Sequence, residues 1–321
     1  MKPLSLSGIY PPIPTPFDAD PQEGIRSTYG AIAHDRLAEN IAKWCATPVA
    51  GLVVLGTNGE FTYLNDQEKL EVLSTARQAI PKGKLFIAGT GCESTRSTLQ
   101  LTEQAAAIGA DVAMVITPNY FKSRMDAAAM RRHFLQVAER SPLPVTIYNM
   151  PANTGVDITA ETVIELAQHP NIVGIKDSSG NVVKLGEIIR AAPSHFHVLA
   201  GSASFLYAAV VLGAVGGVAA LANIAAKQCC QLYDLAREGR HEEARQLQLR
   251  LIPPNAAVTT RFGVPGLKLA LDWVGYYGGP PRSPLAPLDA AQQVALRAIL
   301  IEAGILPQAG LRSTYVQQSR R

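Results

Sequence analysis

The chain of 321 residues is 47% apolar and 17% charged, a core-forming composition that excludes intrinsic disorder. Its 29 Lys and Arg nearly balance its 26 Asp and Glu, leaving a net charge of +3. No extended basic surface follows from that balance, so no nucleic-acid partner is expected.

Short apolar runs rich in β-branched residues recur along the chain. They are Gly8–Pro14, Gly51–Gly56, Leu85–Thr90, Asp111–Thr117, Pro144–Asn149, Ile172–Lys176, His197–Gly201 and Val215–Leu221. Stretches with helical spacing separate them. Asn65, with Glu68 three positions on, reads as a capping box for a helix over Asp66–Ala79. Ser94 opens a helix through Ile108 that Gly109 stops. Thr159 precedes a helix over Ala160–Gln168. From Ala225 onward helix follows helix, over Ala225–Glu238, Glu242–Leu251, Gly263–Trp273 and Ala290–Ala303. Continuous apolar strands alternating with helices imply a parallel sheet covered on both faces. Eight such units suit a closed barrel. The expected organisation is an α/β fold, a (β/α)8 TIM barrel over residues 1–224 with a C-terminal helical extension over residues 225–321. A doubly wound open sheet is the alternative, but it would want a dinucleotide fingerprint after the first strand, and none is there.

Val198–Ala226 carries no charge and is long enough to span a bilayer. Gly213, Gly216 and Gly217 break it, and Ser202, Ser204 and Asn223 interrupt it, so strand, buried helix and strand is the expected reading. No membrane association is expected. Cys45, Cys92, Cys229 and Cys230 lack the spacing of a zinc site or redox dithiol and read as reduced packing residues. No metal site is expected, because the histidines show no ligand spacing apart from His195 and His197, which stand at a strand start. Met1–Ser7 has neither a signal-length apolar run nor an Arg-rich presequence. The expected compartment is the cytoplasm, or the mitochondrion if a presequence has been trimmed.

In such a barrel, chemistry sits where the strands end. The second run ends in Thr57, Asn58, Gly59 and Glu60, the fourth in Pro118, Asn119 and Tyr120, the fifth in Tyr148 and Asn149, and the sixth in Lys176 through Ser179. Lys176 closes an apolar strand, where burial disfavours an ammonium ion and leaves an amine able to attack a carbonyl. By position alone it could equally bridge to Asp177 or to solvent. Tyr148 ends the neighbouring strand at the same level, either as a proton shuttle or as a structural hydrogen-bonding group. The turn Gly56–Glu60 offers backbone N–H groups, the Thr57 hydroxyl and the Asn58 amide to a carboxylate, with Glu60 expected to anchor the loop.

Taken together, the eight runs, Lys176 and Tyr148 resemble the class I pyruvate-dependent aldolase family that includes dihydrodipicolinate synthase and N-acetylneuraminate lyase. Gly56–Glu60 (GTNGE) is similar to the family's GTTGE-type motif, and Tyr148–Gly155 (YNMPANTG) and Gly174–Gly180 (GIKDSSG) to its general-acid and Schiff-base motifs. The resemblance runs from Gly8 to about Pro284. Within the family, Gly89–Thr95, Gln168–Gly174, Gly213–Asn223, Pro254–Lys268 and Asp272–Gly279 resemble the eukaryotic 4-hydroxy-2-oxoglutarate aldolase branch.

The resemblance implies a lyase that needs no cofactor, working on a small 2-oxo acid as a homo-oligomer, expected to be a tetramer. It places the Schiff-base lysine at Lys176, the catalytic tyrosine at Tyr148 and the carboxylate-binding hydroxyl at Thr57. Asn58 stands where the synthases have a second Thr. Tyr120 falls where a tyrosine reaches into the neighbouring subunit's site, Ser178 near the polar end of the substrate, and Ala219 in backbone at the site floor. Asn153 stands where the synthases usually hold a substrate carboxylate with Arg, and Asn cannot form that bidentate, charge-assisted pair. The implied reaction is cleavage of 4-hydroxy-2-oxoglutarate to pyruvate and glyoxylate. A 2-oxo-3-deoxy sugar acid, or a synthase-like condensation, is the alternative.

Overall fold

The computed structural model describes residues 4–18 and 30–308. Its strands are β1 (Gly8–Tyr10), β2 (Gly51–Val54), β3 (Leu85–Gly89), β4 (Val112–Ile116), β5 (Val145–Asn149), β6 (Ile172–Asp177), β7 (His197–Ala200) and β8 (Gly216–Val218). They form one parallel sheet in the order β1-β8-β7-β6-β5-β4-β3-β2. The remaining gap closes beside β1. Ile13 N–H donates to the Val53 carbonyl at 2.9 Å, and Val53 N–H donates to the Pro11 carbonyl at 3.1 Å. The result is the expected (β/α)8 TIM barrel. The first strand is shorter than the expected Gly8–Pro14, because Pro11, Pro12 and Pro14 have no N–H to give a ladder.

Helices α1 (His34–Cys45), α2 (Asp66–Ala79), α3 (Thr95–Ile108) and α4 (Ala127–Arg140) follow the first four strands. After β5 come the single turn α5 (Pro151–Thr154) and α6 (Ala160–Leu166). Helices α7 (Val182–Ala191), α8 (Leu206–Leu212) and α9 (Ala226–Arg237) follow β6, β7 and β8. The capping box at Asn65 and Glu68 forms, and Ser94 and Thr159 cap their helices. Gly109 ends α3 at φ +103°, a left-handed conformation that glycine takes without penalty.

Helix α9 packs on β1 and α8, which gives it the eighth place in the outer ring. Then come α10 (His241–Ala256), α11 (Gly263–Trp273) and α12 (Ala290–Glu302). Helix α10 outruns its expected end at Leu251, passing through Pro253 and Pro254 into a π-type turn at Ala257–Arg261. The prolines withdraw the N–H groups that would meet the Leu249 and Arg250 carbonyls. Both of those residues are exposed, so solvent can take over and the helix survives.

Two apolar layers hold the barrel. Tyr10, Val53, Ile87, Met114, Leu199 and Val218 fill its interior. A larger cluster seals the sheet against the helices. Every residue of β2, β4 and β5 is buried, as expected of parallel strands covered on both faces. The uncharged stretch Val198–Ala226 resolves into β7, α8 and β8 with short turns between them. Among the described residues no helix is long and apolar enough to cross a membrane. All four cysteines are free thiols. Burial pushes Cys230 up to about 11 and Cys229 higher still, which fits packing residues that stay protonated.

Candidate active site

The C-terminal ends of the strands open into a cavity of about 700 Å³. β5 and β6 set its chemistry. Their register pairs Tyr148 with Lys176, so two adjacent strands present these side chains at one level. Both residues are 3% exposed. Lys176 Nζ lies 3.8 Å from the centroid of the Tyr148 ring. Among the described residues Lys176 Nζ has no hydrogen-bond or ion-pair partner. Thr57, in the turn after β2, brings its Oγ1 to 3.0 Å from Tyr148 Oη. A buried amine, a phenol and a hydroxyl thus converge on one wall, where they can attack a carbonyl, carry a proton and bind an anionic end.

The alternative for Lys176, a bridge to Asp177, does not form, because successive side chains on a strand point to opposite faces. Asp177 is fully buried and belongs to a cluster behind the site. Lys184 Nζ, on α7, lies 2.9 Å from Asp177 Oδ2 and 2.6 Å from Asp157 Oδ1. Asn149 Nδ2, at the end of β5, donates to both carboxylates at 2.8 and 2.7 Å. The Ser179 backbone N–H donates to Asp177 Oδ1 at 2.9 Å. This cluster ties the end of β5 to the end of β6, behind Tyr148 and Lys176. Sequence reasoning missed Lys184 and Asp157. The only available signal was that a buried Asp next to Lys176 needs a cation.

Of the other expected site residues, Asn58, Asn153 and Ser178 line the cavity. Asn58 Nδ2 donates to the Pro12 carbonyl at 3.2 Å. Ser178 Oγ lies 3.4 Å from the Gly201 carbonyl, and a Cβ at Gly201 would collide with that hydroxyl and with the Asp177 carbonyl. Glycine is therefore required where β7 passes the site. Ala219 is fully buried and spends its N–H on the Tyr10 carbonyl, while its neighbours Val218 and Ala220 line the cavity. Tyr120 stays outside its own chain's cavity. It is 78% exposed and meets the equally outlying Phe121 edge-on at 5.1 Å.

The C-terminal part supplies a wall that sequence reasoning did not anticipate. Thr259, Thr260, Phe262 and Leu285 face the cavity opposite the strand ends. Among the described lining residues Lys176 is the only cation. Nor do three His, Cys, Asp or Glu side chains converge to hold a metal ion among the described residues.

The matching family model is that of the dihydrodipicolinate synthetase family, over residues 5–303. A probable mitochondrial 4-hydroxy-2-oxoglutarate aldolase of Emericella nidulans is 36% identical over 259 residues, covering 79% of this chain and 84% of that one. An L-threo-3-deoxy-hexylosonate aldolase of Hypocrea jecorina is 35% identical, covering 94% and 98%. A solved dihydrodipicolinate synthase of Acinetobacter baumannii, in complex with pyruvate, superposes with a TM-score of 0.87 at 30% identity, covering 94% of this chain and 100% of that one. With its barrel closed and its strand-end lysine and tyrosine side by side, the chain belongs to the dihydrodipicolinate synthetase family and is a lyase of that family.

Proposed function

We propose that the chain is a Schiff-base aldolase that cleaves a 4-hydroxy-2-oxo acid to pyruvate and an aldehyde. The observation that carries this reading is the convergence of Lys176, Tyr148 and Thr57 on one wall of the cavity. The Lys176 amine adds to the 2-oxo carbon, and loss of water gives an iminium ion. Tyr148 removes the proton of the C4 hydroxyl. The C3–C4 bond breaks, the aldehyde leaves, and the electron pair is held as an enamine. A proton returns to C3, and hydrolysis releases pyruvate and the free amine. The Thr57 hydroxyl, with the amide of Asn58, holds the substrate carboxylate. Tyr120 serves the cavity of a neighbouring copy within a homotetramer, a role suited to its exposure.

The proposed substrate is 4-hydroxy-2-oxoglutarate, which gives glyoxylate as the aldehyde. Support comes from Asn58 and Asn153, which depart from the synthase pattern, and from the Emericella relative. A second reading, a 2-oxo-3-deoxy sugar acid, has its own observation. The wall of Thr259, Thr260 and Asn153 offers hydroxyls and an amide but no cation, which suits an uncharged polyhydroxy tail. Synthase-like condensation lacks its Arg–carboxylate pair. Charge-assisted bonds contribute roughly 1.5–3 kcal/mol each, or about 10- to 150-fold in binding.

A panel of 2-oxo acids assayed for pyruvate release tests the reading, with condensation onto aspartate semialdehyde measured on the same preparation. 4-Hydroxy-2-oxoglutarate should show the highest kcat/KM. A sugar acid in first place would move the site to the second reading, and condensation in first place would make the protein a synthase. Release of pyruvate from none of them would sink the aldolase assignment.

A further inference from the structure

Glu60 is unusual on three counts. It is a non-glycine residue at φ +53°, it is only 3% exposed, and it stands three positions after Thr57. Its side chain reaches across to the C-terminal part. One carboxylate oxygen lies 2.5 Å from Lys268 Nζ, on α11, and the other accepts the Arg282 backbone N–H at 2.8 Å. Lys268 is fully buried and also donates to the Pro280 carbonyl at 2.9 Å. Burial holds its ammonium down at about 8, with Glu60 pulling the other way. The Arg282 guanidinium forks onto Glu68 at 2.7 and 2.9 Å and donates to the Tyr63 carbonyl at 2.9 Å. It holds the Glu68 carboxyl below the usual carboxylate range. Both cations lie over the Phe17 ring, with Lys268 Nζ at 4.2 Å and the Arg282 guanidinium carbon at 4.3 Å from its centroid.

The segment from Glu60 to Glu68, which begins three residues after Thr57, is thus gripped at both ends by one strap, α11 and Pro280–Arg282. A fully buried lysine and a partly buried arginine are matched to two carboxylates. An apolar contact could have held the loop without the desolvation cost of charges, but it would not fix the loop's direction and height as hydrogen-bonded ion pairs do.

We propose that Glu60 and Lys268 are positioning residues that set the Thr57 hydroxyl against Tyr148 and the substrate carboxylate, so that the C-terminal helices control the geometry of a site built on the barrel. This rests on the aldolase reading above. Displacing a positioned group by about 1 Å can cost up to about 10²-fold. Lys268→Met removes the cation and keeps the shape. It should lower kcat/KM for pyruvate release by about 10- to 100-fold, with kcat falling and KM rising together.

The decisive measurement is a double-mutant cycle with Thr57→Val. If Lys268 acts through the Thr57 hydroxyl, Lys268→Met should cost less than about threefold once that hydroxyl is gone. Glu60→Gln, which keeps the Arg282 hydrogen bond and loses the charge, repeats the cycle and carries it alone if Lys268→Met does not fold. Equal fractional losses in both backgrounds, or no loss in folded variants, would overturn the proposal. Trapping of pyruvate on the wild-type enzyme with borohydride separates the two failures. A wild type that traps nothing brings down the aldolase reading and this one with it. Intact trapping with equal losses brings down this one alone.

Discussion

Lys176 and Lys184 lie a short step apart in sequence and are both almost wholly buried, at 3% and 6% exposure. Lys184, behind the strand end, contacts the carboxylates of Asp157 and Asp177. Lys176, on the cavity side, has a tyrosine ring beside it and no carboxylate among the described residues. Lys268, on α11 and away from the cavity, follows the pattern of Lys184, with Glu60 as its partner. Burial alone therefore does not mark a reactive amine. A buried lysine with full ionic partners holds structure together. One without them, on the wall of a cavity, is left unengaged and placed to meet a substrate carbonyl.

The contrast is broken most sharply by deleting each lysine. Lys176→Met should abolish turnover, by at least about 10³-fold, since it removes the covalent step itself. Its melting temperature should hold, because no ion pair is lost. Undiminished pyruvate release from that variant would remove Lys176 from the mechanism. Next in size, Tyr148→Phe should slow kcat by about 10²- to 10⁴-fold, the range for a positioned proton carrier, with the fold intact. A rate close to wild type would mean that another group moves the proton.

Lys184→Met should act the other way. It leaves Asp177 buried without its cation, and breaking a buried pair costs about 3–5 kcal/mol of stability. Denaturant unfolding measures this, and a loss below about 1 kcal/mol would mean that the cluster behind β6 is not an essential tie.

The smallest effect concerns pH. His133 is buried, and burial lowers it to about 4, with Glu93 opposing. A histidine that stays neutral in the fold but takes a proton when unfolded makes the unfolded state bind more protons between about pH 6.5 and pH 4. Stability should therefore fall on acidification through that window. His133→Gln should flatten the slope there, and an unchanged slope would assign it to other groups.

Much of this was legible in the sequence, for reasons that are local. Strands buried on both faces read as unbroken apolar runs, which is why the rhythm of eight was visible. Helix signals such as Asn65 with Glu68 act within one turn and formed as expected. Tyr148 and Lys176 end consecutive strands, so their pairing follows from parallel register. What stayed hidden depends on contacts between distant segments. Glu60 and Arg282 are 222 residues apart, and neither names the other. Lys184 lies on a helix whose charge reads as solvent-facing until Asp157 and Asp177 close over it. The passage of α10 through two prolines depends on which carbonyls face outward, which spacing alone does not say. The neutral C-terminal wall of the cavity arises only when the last helices fold back over the barrel rim.

The central claim is that Lys176, the buried lysine left without a carboxylate, is the one that takes the substrate. Reduction of the protein with borohydride in the presence of pyruvate, followed by peptide mapping, tests it directly. The account predicts a single pyruvate-derived adduct on Lys176, with Lys184 and Lys268 unmodified. An adduct on either paired lysine, or no adduct at all, would contradict it.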